Sequence, residues 1–140
     1  MNEGLMTEIS AAATDAAQTE KSVLRVTCLC AAWCTTCREY RQTFDELAVA
    51  YPHASFRWLD IEDEAEALGD LDVENFPTLL VARDGVVLFF GVLLPHKSHL
   101  ARMVENFLLF SDQEVSDYGR SSSERTAWQN NPDIVRLGDW

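Results

Sequence analysis

All four cysteines of the chain lie within ten consecutive residues, CLCAAWCTTC, from Cys28 to Cys37. A short apolar run, Val23 to Cys30, leads into this cluster, and a helical pattern follows it. In Cys34-Thr-Thr-Cys37 the two sulfurs can meet when the first cysteine starts a helix and the second lies one turn inside it. The exposed N–H groups of such a helix start favour negative charge, so Cys34 is expected to have a thiolate pKa below the ordinary value of about 8.5. Cys34 is then the nucleophile and Cys37 the thiol that resolves its mixed disulfide. One such pair suffices for the exchange, and no cofactor is required. A secreted scaffold spreads its cysteines to close long loops, whereas a cluster this tight points to redox or metal chemistry.

The rest of the chain supplies the elements around that cluster. Val23 to Cys30 is rich in β-branched and small apolar residues without a helical period, as in a strand covered on both faces. Tyr40, Phe44, Leu47, Ala48 and Tyr51 recur every three or four residues until Pro52 forbids the helix to continue. Ser55 to Ile61 reads as a second strand, followed by a short acidic helix that Gly69 ends. Thr78 to Ala82 and Val86 to Phe90 flank Arg83-Asp84-Gly85, a hairpin signal that predicts antiparallel strands. Ser98 is a candidate cap for a last helix with Leu100, Met103, Val104, Phe107 and Leu108 on one face. A weak, alanine-rich helix is expected over residues 5–20.

At 140 residues the chain suits one core. The order of elements predicts an α/β fold in which a central mixed β-sheet is flanked by helices, because a helical crossover joins the first two strands. Beyond Ser111 the periodicity disappears and serine, aspartate, asparagine and glycine dominate, which predicts a domain over 1–110 and a flexible extension over 111–140. Within that extension Trp128, Ile134, Val135, Leu137 and Trp140 stand out as residues able to fold onto a groove or a partner.

With 23 acidic against 11 basic residues the net charge is −12, which opposes nucleic acid and anionic membrane surfaces. The N-terminus lacks the basic start and apolar run of a secretion signal, and no stretch reaches the roughly 18 apolar residues of a membrane span. A cytoplasmic location is expected.

The segment AAWCTTCREY resembles the active site of the thioredoxin family, with its Trp-Cys-x-x-Cys core, and FPTLLVARDG resembles that family's cis-proline segment and following hairpin. The likeness runs from about Val23 to Phe110. It implies a thioredoxin fold and a thiol–disulfide oxidoreductase that reduces protein disulfides through Cys34 and Cys37. It also implies a cis Pro77 against that pair, the backbone of Phe76 presented to an extended substrate, and Trp33 shielding the disulfide or touching substrate. Partners would be protein disulfides and a donor of the thioredoxin-reductase type, with the protein itself monomeric.

The departures bear on the chemistry. Thr35 and Thr36 stand where thioredoxins typically have Gly-Pro, Cys28 stands where the family has a buried aspartate that accepts the resolving thiol's proton, and Trp58 stands at the partner lysine position. A neutral thiol is a poorer base than a desolvated carboxylate, so resolution by Cys37 is expected to be slow or to use water. Cys28 and Cys30, two apart on a strand, share a face. They read either as small buried hydrophobes or as auxiliary thiols, one of them a second resolving thiol or a redox sensor. A zinc site built on all four sulfurs has little room to converge in ten residues, so no metal is expected. His53, His96 and His99 are expected at the surface, and Glu62, Asp63, Glu64 and Glu66 form a solvated acidic face. The alternative to an oxidoreductase is a redox-inactive binding or chaperone module on the same scaffold.

Overall fold

The first strand, β1 (Leu24–Cys30), is buried from Val26 through Cys30, because both faces of the sheet are covered here. It occupies an inner position of a four-stranded sheet in a computed structural model that describes residues 23–140. The helix expected over 5–20 lies outside the described residues.

A helix, α1 (Thr35–Ala50), follows and stops at Tyr51, the residue before Pro52. Its buried positions, Cys37, Tyr40, Phe44 and Leu47, repeat at three and four, so one stripe faces the sheet. This crossover delivers β2 (Ala54–Asp60) parallel to β1, with Leu24 opposite Ala54 and Cys30 opposite Asp60. One turn of helix, α2 (Ala65–Leu68), precedes β3 (Thr78–Arg83), which runs antiparallel to β1. β4 (Val86–Val92) pairs with β3 from Arg83 opposite Val86, leaving Asp84 and Gly85 as the loop. Both have positive φ, 54° and 77°, as a two-residue hairpin matched to strand twist requires. The strand order is β2-β1-β3-β4.

The last helix foreseen from the sequence is α3 (Lys97–Leu108), with Leu100, Val104 and Phe107 buried. Its N-cap is His96 rather than Ser98, and no side chain caps it. α1 and α3 cover the sheet face carrying Leu24, Val26, Cys28, Cys30, Leu79, Val81 and Leu88.

Residues 111–140 are not a flexible extension. They form three short helices, α4 (Asp112–Tyr118), α5 (Ser123–Gln129) and α6 (Pro132–Gly138), which pack on the domain. The serines and asparagine that suggested disorder are caps. Ser111 and Glu114 form a reciprocal capping box, Ser122 accepts from the Arg125 N–H, and Asn131 accepts from Asp133 and Ile134 ahead of a Pro132 that starts α6.

Ile134 and Leu137 complete the core on the second face with Leu29, Leu59, Leu80 and Val87. The amide of Gln129 accepts from the Val87 N–H at 2.8 Å and donates to its carbonyl at 2.7 Å, giving edge strand β4 a side-chain partner. Trp140 donates from its indole N–H to Thr27 Oγ1 at 2.8 Å, satisfying a buried hydroxyl of β1. Gly138 lets α6 approach closely, since a Cβ there would stand 2.9 Å from that of Ala82.

Candidate functional site

The end of β1 and the start of α1 place four sulfurs in sequence from surface to core. Cys34 is the N-cap of α1, with extended backbone (φ −84°, ψ 119°), and is the one partly exposed cysteine; its thiol is free. Its N–H donates to the Ala31 carbonyl at 3.0 Å, which closes the turn leading into the helix. Cys37 lies in the first turn on the buried stripe of α1.

Cys37 is bridged to Cys30, the last residue of β1, rather than to Cys34; the Cα atoms of Cys30 and Cys37 are 5.8 Å apart. The reason is directional. Cys37 shares its helix face with Tyr40 and Phe44 and so points at the sheet, where Cys30 faces it, whereas Cys34 sits outside that stripe at the cap. Cys28 is fully buried, with its sulfur 3.6 Å from that of Cys30.

Burial pushes the Cys28 thiol far above the ordinary thiol range, an effect the Arg41 guanidinium partly offsets. Tyr40 lies nearby, and its hydroxyl is buried with no hydrogen-bond partner among the described residues. Burial raises the Tyr40 pKa, and the proximity of the Cys28 sulfur raises it further. The core beneath the motif therefore favours neutral groups. Trp58 is part of this surround, edge-on to Phe44 with ring centroids 5.6 Å apart, and the Arg41 guanidinium stacks over it at 4.9 Å.

A cleft of about 260 Å³ opens beside the bridge, lined by Ala31, Cys37, Arg38, Arg41, Trp58 and Asp60. On the other side of the motif Trp33 is 61% exposed. Its ring is edge-on to Phe76, with centroids 5.6 Å apart, and its indole N–H donates to Glu62 at 2.7 Å. The Phe76–Pro77 peptide is cis. Trp33, Phe76 and Pro77 thus come together from the motif loop and the start of β3.

Other candidates stay apart from this site. His53 is exposed, and His96 and His99 lie at the start of α3, where their rings meet edge to face. Among the described residues no group of three or more His, Cys, Asp or Glu side chains is placed to hold a metal ion. No helix there is long and apolar enough to cross a membrane. Sequence reasoning put Cys28 and Cys30 on one face of β1 but missed that this face meets the first turn of α1 at Cys37. Cys37 lies three residues before Tyr40 and so extends the helical stripe, a signal for its place on the buried face of α1 but not for Cys30 opposite it.

Comparison with known proteins agrees with this architecture. The family model described as Thioredoxin matches residues 8–105. The chain is 36% identical over 55 residues to a putative thioredoxin H10 of Arabidopsis thaliana, a match that covers 39% of this chain and 36% of that protein. It is 30% identical over 79 residues to a thioredoxin of Staphylococcus saprophyticus, covering 56% of this chain and 76% of the relative. Against an H-type thioredoxin of Fagopyrum esculentum it spans 47% of the relative's length, so it spans between about a third and a half of these two plant proteins.

Among solved structures, a poplar thioredoxin h superposes with a TM-score of 0.58 at 20% identity, covering 79% of this chain and 94% of that one. Fasciola hepatica thioredoxin superposes at 0.57 with 23% identity, covering 69% and 92%. These likenesses establish the fold, and the helices α4 to α6 lie beyond the family match. On the family match and the assembled fold together, this chain belongs to the thioredoxin family.

Proposed function

We propose that the protein is a thiol–disulfide oxidoreductase that reduces protein disulfides in the cytoplasm as a monomer, with Cys34 as attacking thiolate and Cys37 as resolving thiol. The observation that carries this reading is the placement of Cys34. It is the one partly exposed sulfur, set at a helix N-terminus directly after Trp33, whose ring meets Phe76, and one helical turn before the buried Cys37. An extended substrate strand laid along Phe76 and Pro77 would bring its disulfide to Cys34.

The Cys34 thiolate attacks one substrate sulfur and expels the other as a thiolate, leaving a mixed disulfide. Cys37 then attacks Cys34 Sγ, releases the second substrate sulfur and closes an internal bridge. Before that can occur, the Cys30–Cys37 bond must be reduced by two electrons from a dithiol donor, the role a thioredoxin-reductase-type partner would fill. Cys28 and Trp58 pack in the same core as Cys37, and the carboxylate that lines the cleft beside Cys37 is that of Asp60, whose Oδ1 accepts from the Glu62 and Asp63 N–H groups; the cleft gives water a route to Cys37.

The test is insulin reduction driven by a dithiol, with a parallel redox titration against glutathione. Cys34→Ser is expected to abolish turnover and Cys37→Ser to accumulate mixed disulfide. A potential near about −270 mV would mark a reductant and one near about −120 mV an oxidant. Full activity in Cys34→Ser would sink the proposal. It would favour instead a redox-inactive binding or chaperone module, a second reading suggested by the engagement of Cys37 with Cys30.

A further inference from the structure

Resting on the oxidoreductase reading, we propose that Cys30 is a second, internal resolving thiol that takes the bridge over from Cys34, so that the oxidised protein carries Cys30–Cys37 and presents Cys34 as a free thiol.

Cys37 is common to both bridges. It follows Cys34 by one helical turn and is bonded in the structure to Cys30, across the junction of α1 and β1. The second step is an isomerisation. The Cys30 sulfur attacks Cys37 Sγ of the Cys34–Cys37 bridge, the Cys34–Cys37 bond breaks as the Cys30–Cys37 bond forms, and the proton lost by Cys30 ends on the departing Cys34. Disulfide and thiol are conserved, so the step needs no added oxidant or reductant.

Two features favour its direction. A disulfide is neutral and apolar and suits the core position that Cys30 and Cys37 share, while the released sulfur is the one that reaches solvent. The interior also holds donors for the sulfur that carries charge during attack. Cys28 lies 3.6 Å from Cys30 and can donate its S–H, and the buried Tyr40 hydroxyl beside Cys28 has no partner among the described residues. Cys28 thereby acts as a positioning residue that keeps its proton.

The consequence is a change in what the oxidised protein offers a substrate. With a Cys34–Cys37 bridge the surface sulfur is spent. With Cys30–Cys37 it is available to a second disulfide, and because Cys37 is engaged, that second mixed disulfide is held rather than resolved.

The test uses the full chain, completely reduced, with one equivalent of a peptide carrying a single disulfide. Free thiols are alkylated at intervals, the protein is reduced, and the remainder takes a second label. All four cysteines share the tryptic peptide 26–38, so fragmentation assigns each label. The expected course is loss of first label at Cys34 and Cys37, then its recovery at Cys34 as Cys30 loses it. In Cys30→Ala the recovery at Cys34 is lost. Peptide thiol released with Cys34 still protected and Cys30 still labelled at the end overturns the relay but leaves the oxidoreductase reading standing. No release of peptide thiol overturns both. Should Cys30→Ala fail to fold, the label map of the unaltered chain decides alone.

Discussion

Leu137→Ala tests whether the last thirty residues belong to the cooperative core. Leu137 is 3% exposed on α6 and packs with Leu29, Leu59, Leu80, Val87 and Ile134 on the second face of the sheet. The substitution deletes three carbons, worth about 0.8 kcal/mol each in transfer, and the cavity left between a helix and a sheet adds to that; the total is about 3 kcal/mol. An unfolding entropy of roughly 2.1 cal/mol/K per residue gives roughly 0.3 kcal/mol/K for a chain of this size, so the melting temperature should fall by about 10 °C.

Urea unfolding is the direct assay, because Trp33 and Trp58 report on the motif side while Trp128 and Trp140 report on the C-terminal helices. The expected outcome is one transition with an unchanged slope and a lower midpoint. Leu109→Ala, at a side chain 83% exposed, is the control and should cost less than about 0.5 kcal/mol. If Leu137→Ala costs no more than this control, or if the C-terminal tryptophans unfold in a separate early transition, α6 is not part of the core and the packing argument fails.

Gly138→Ala should destabilise by about 1–3 kcal/mol, because its Cβ would stand 2.9 Å from that of Ala82; a midpoint within error of the parent would show that α6 can shift away freely. Gln129→Ala removes the side chain paired to both backbone groups of Val87, and a loss of about 1–2 kcal/mol in chemical denaturation is expected. Alkaline pH should weaken the fold through Cys28. Burial holds its folded pKa above the ordinary thiol value, so its contribution is intact below about pH 8.5. As pH rises further, the unfolded chain loses the proton and the folded one keeps it, costing about 1.36 kcal/mol per pH unit. Cys28→Ala should flatten that part of the stability curve, and an unchanged slope would contradict the assignment.

The sequence displayed the first face of the sheet well. Phe44 and Leu47 on α1, or Leu100, Val104 and Phe107 on α3, repeat over enough turns for the helical period to be visible. The second face was hidden because α5 and α6, which cover it, have seven residues each, α5 burying no residue fully and α6 only Ile134, Leu137 and Gly138, too few to show a period; α4, equally short, adds Val115 to the first face. Their Ser111, Ser122 and Asn131 are common to caps and to disordered segments, and only the spacing to Glu114 or the adjoining Pro132 separates the two cases. Ile134, Leu137 and Trp140, which stood out from the polar background, proved to be the residues that dock. At the site, local spacing showed that Cys34 and Cys37 flank one helical turn. It could not show that Cys30 faces that turn, because this depends on how α1 lies on β1.

The exchange of an ionic interior for a sulfur one links the two halves of the site. A buried carboxylate with a lysine partner must be kept hydrogen-bonded to offset the loss of hydration, and it supplies a base where a resolving thiol needs one. In this chain Cys28 and Trp58 fill the corresponding region with apolar, polarisable surface, and Arg41 covers Trp58 from outside. That arrangement removes the desolvation cost and the base together. Alongside it the same strand end supplies a second sulfur, Cys30, within bonding reach of Cys37. Proton transfer at Cys37 is then left to the cleft, and sulfur transfer is directed to the core. A single replacement, Cys28→Asp, sets these two demands against each other. It would place a carboxylate where a buried sulfur now lies 3.6 Å from that of Cys30, and would bury that charge with Trp58 in place of a lysine. The expected result is a protein several kcal/mol less stable at neutral pH that regains stability on acidification as the carboxyl is protonated. Equal stability at both pH values would show that the interior tolerates charge and that the sulfur cluster does not depend on excluding it.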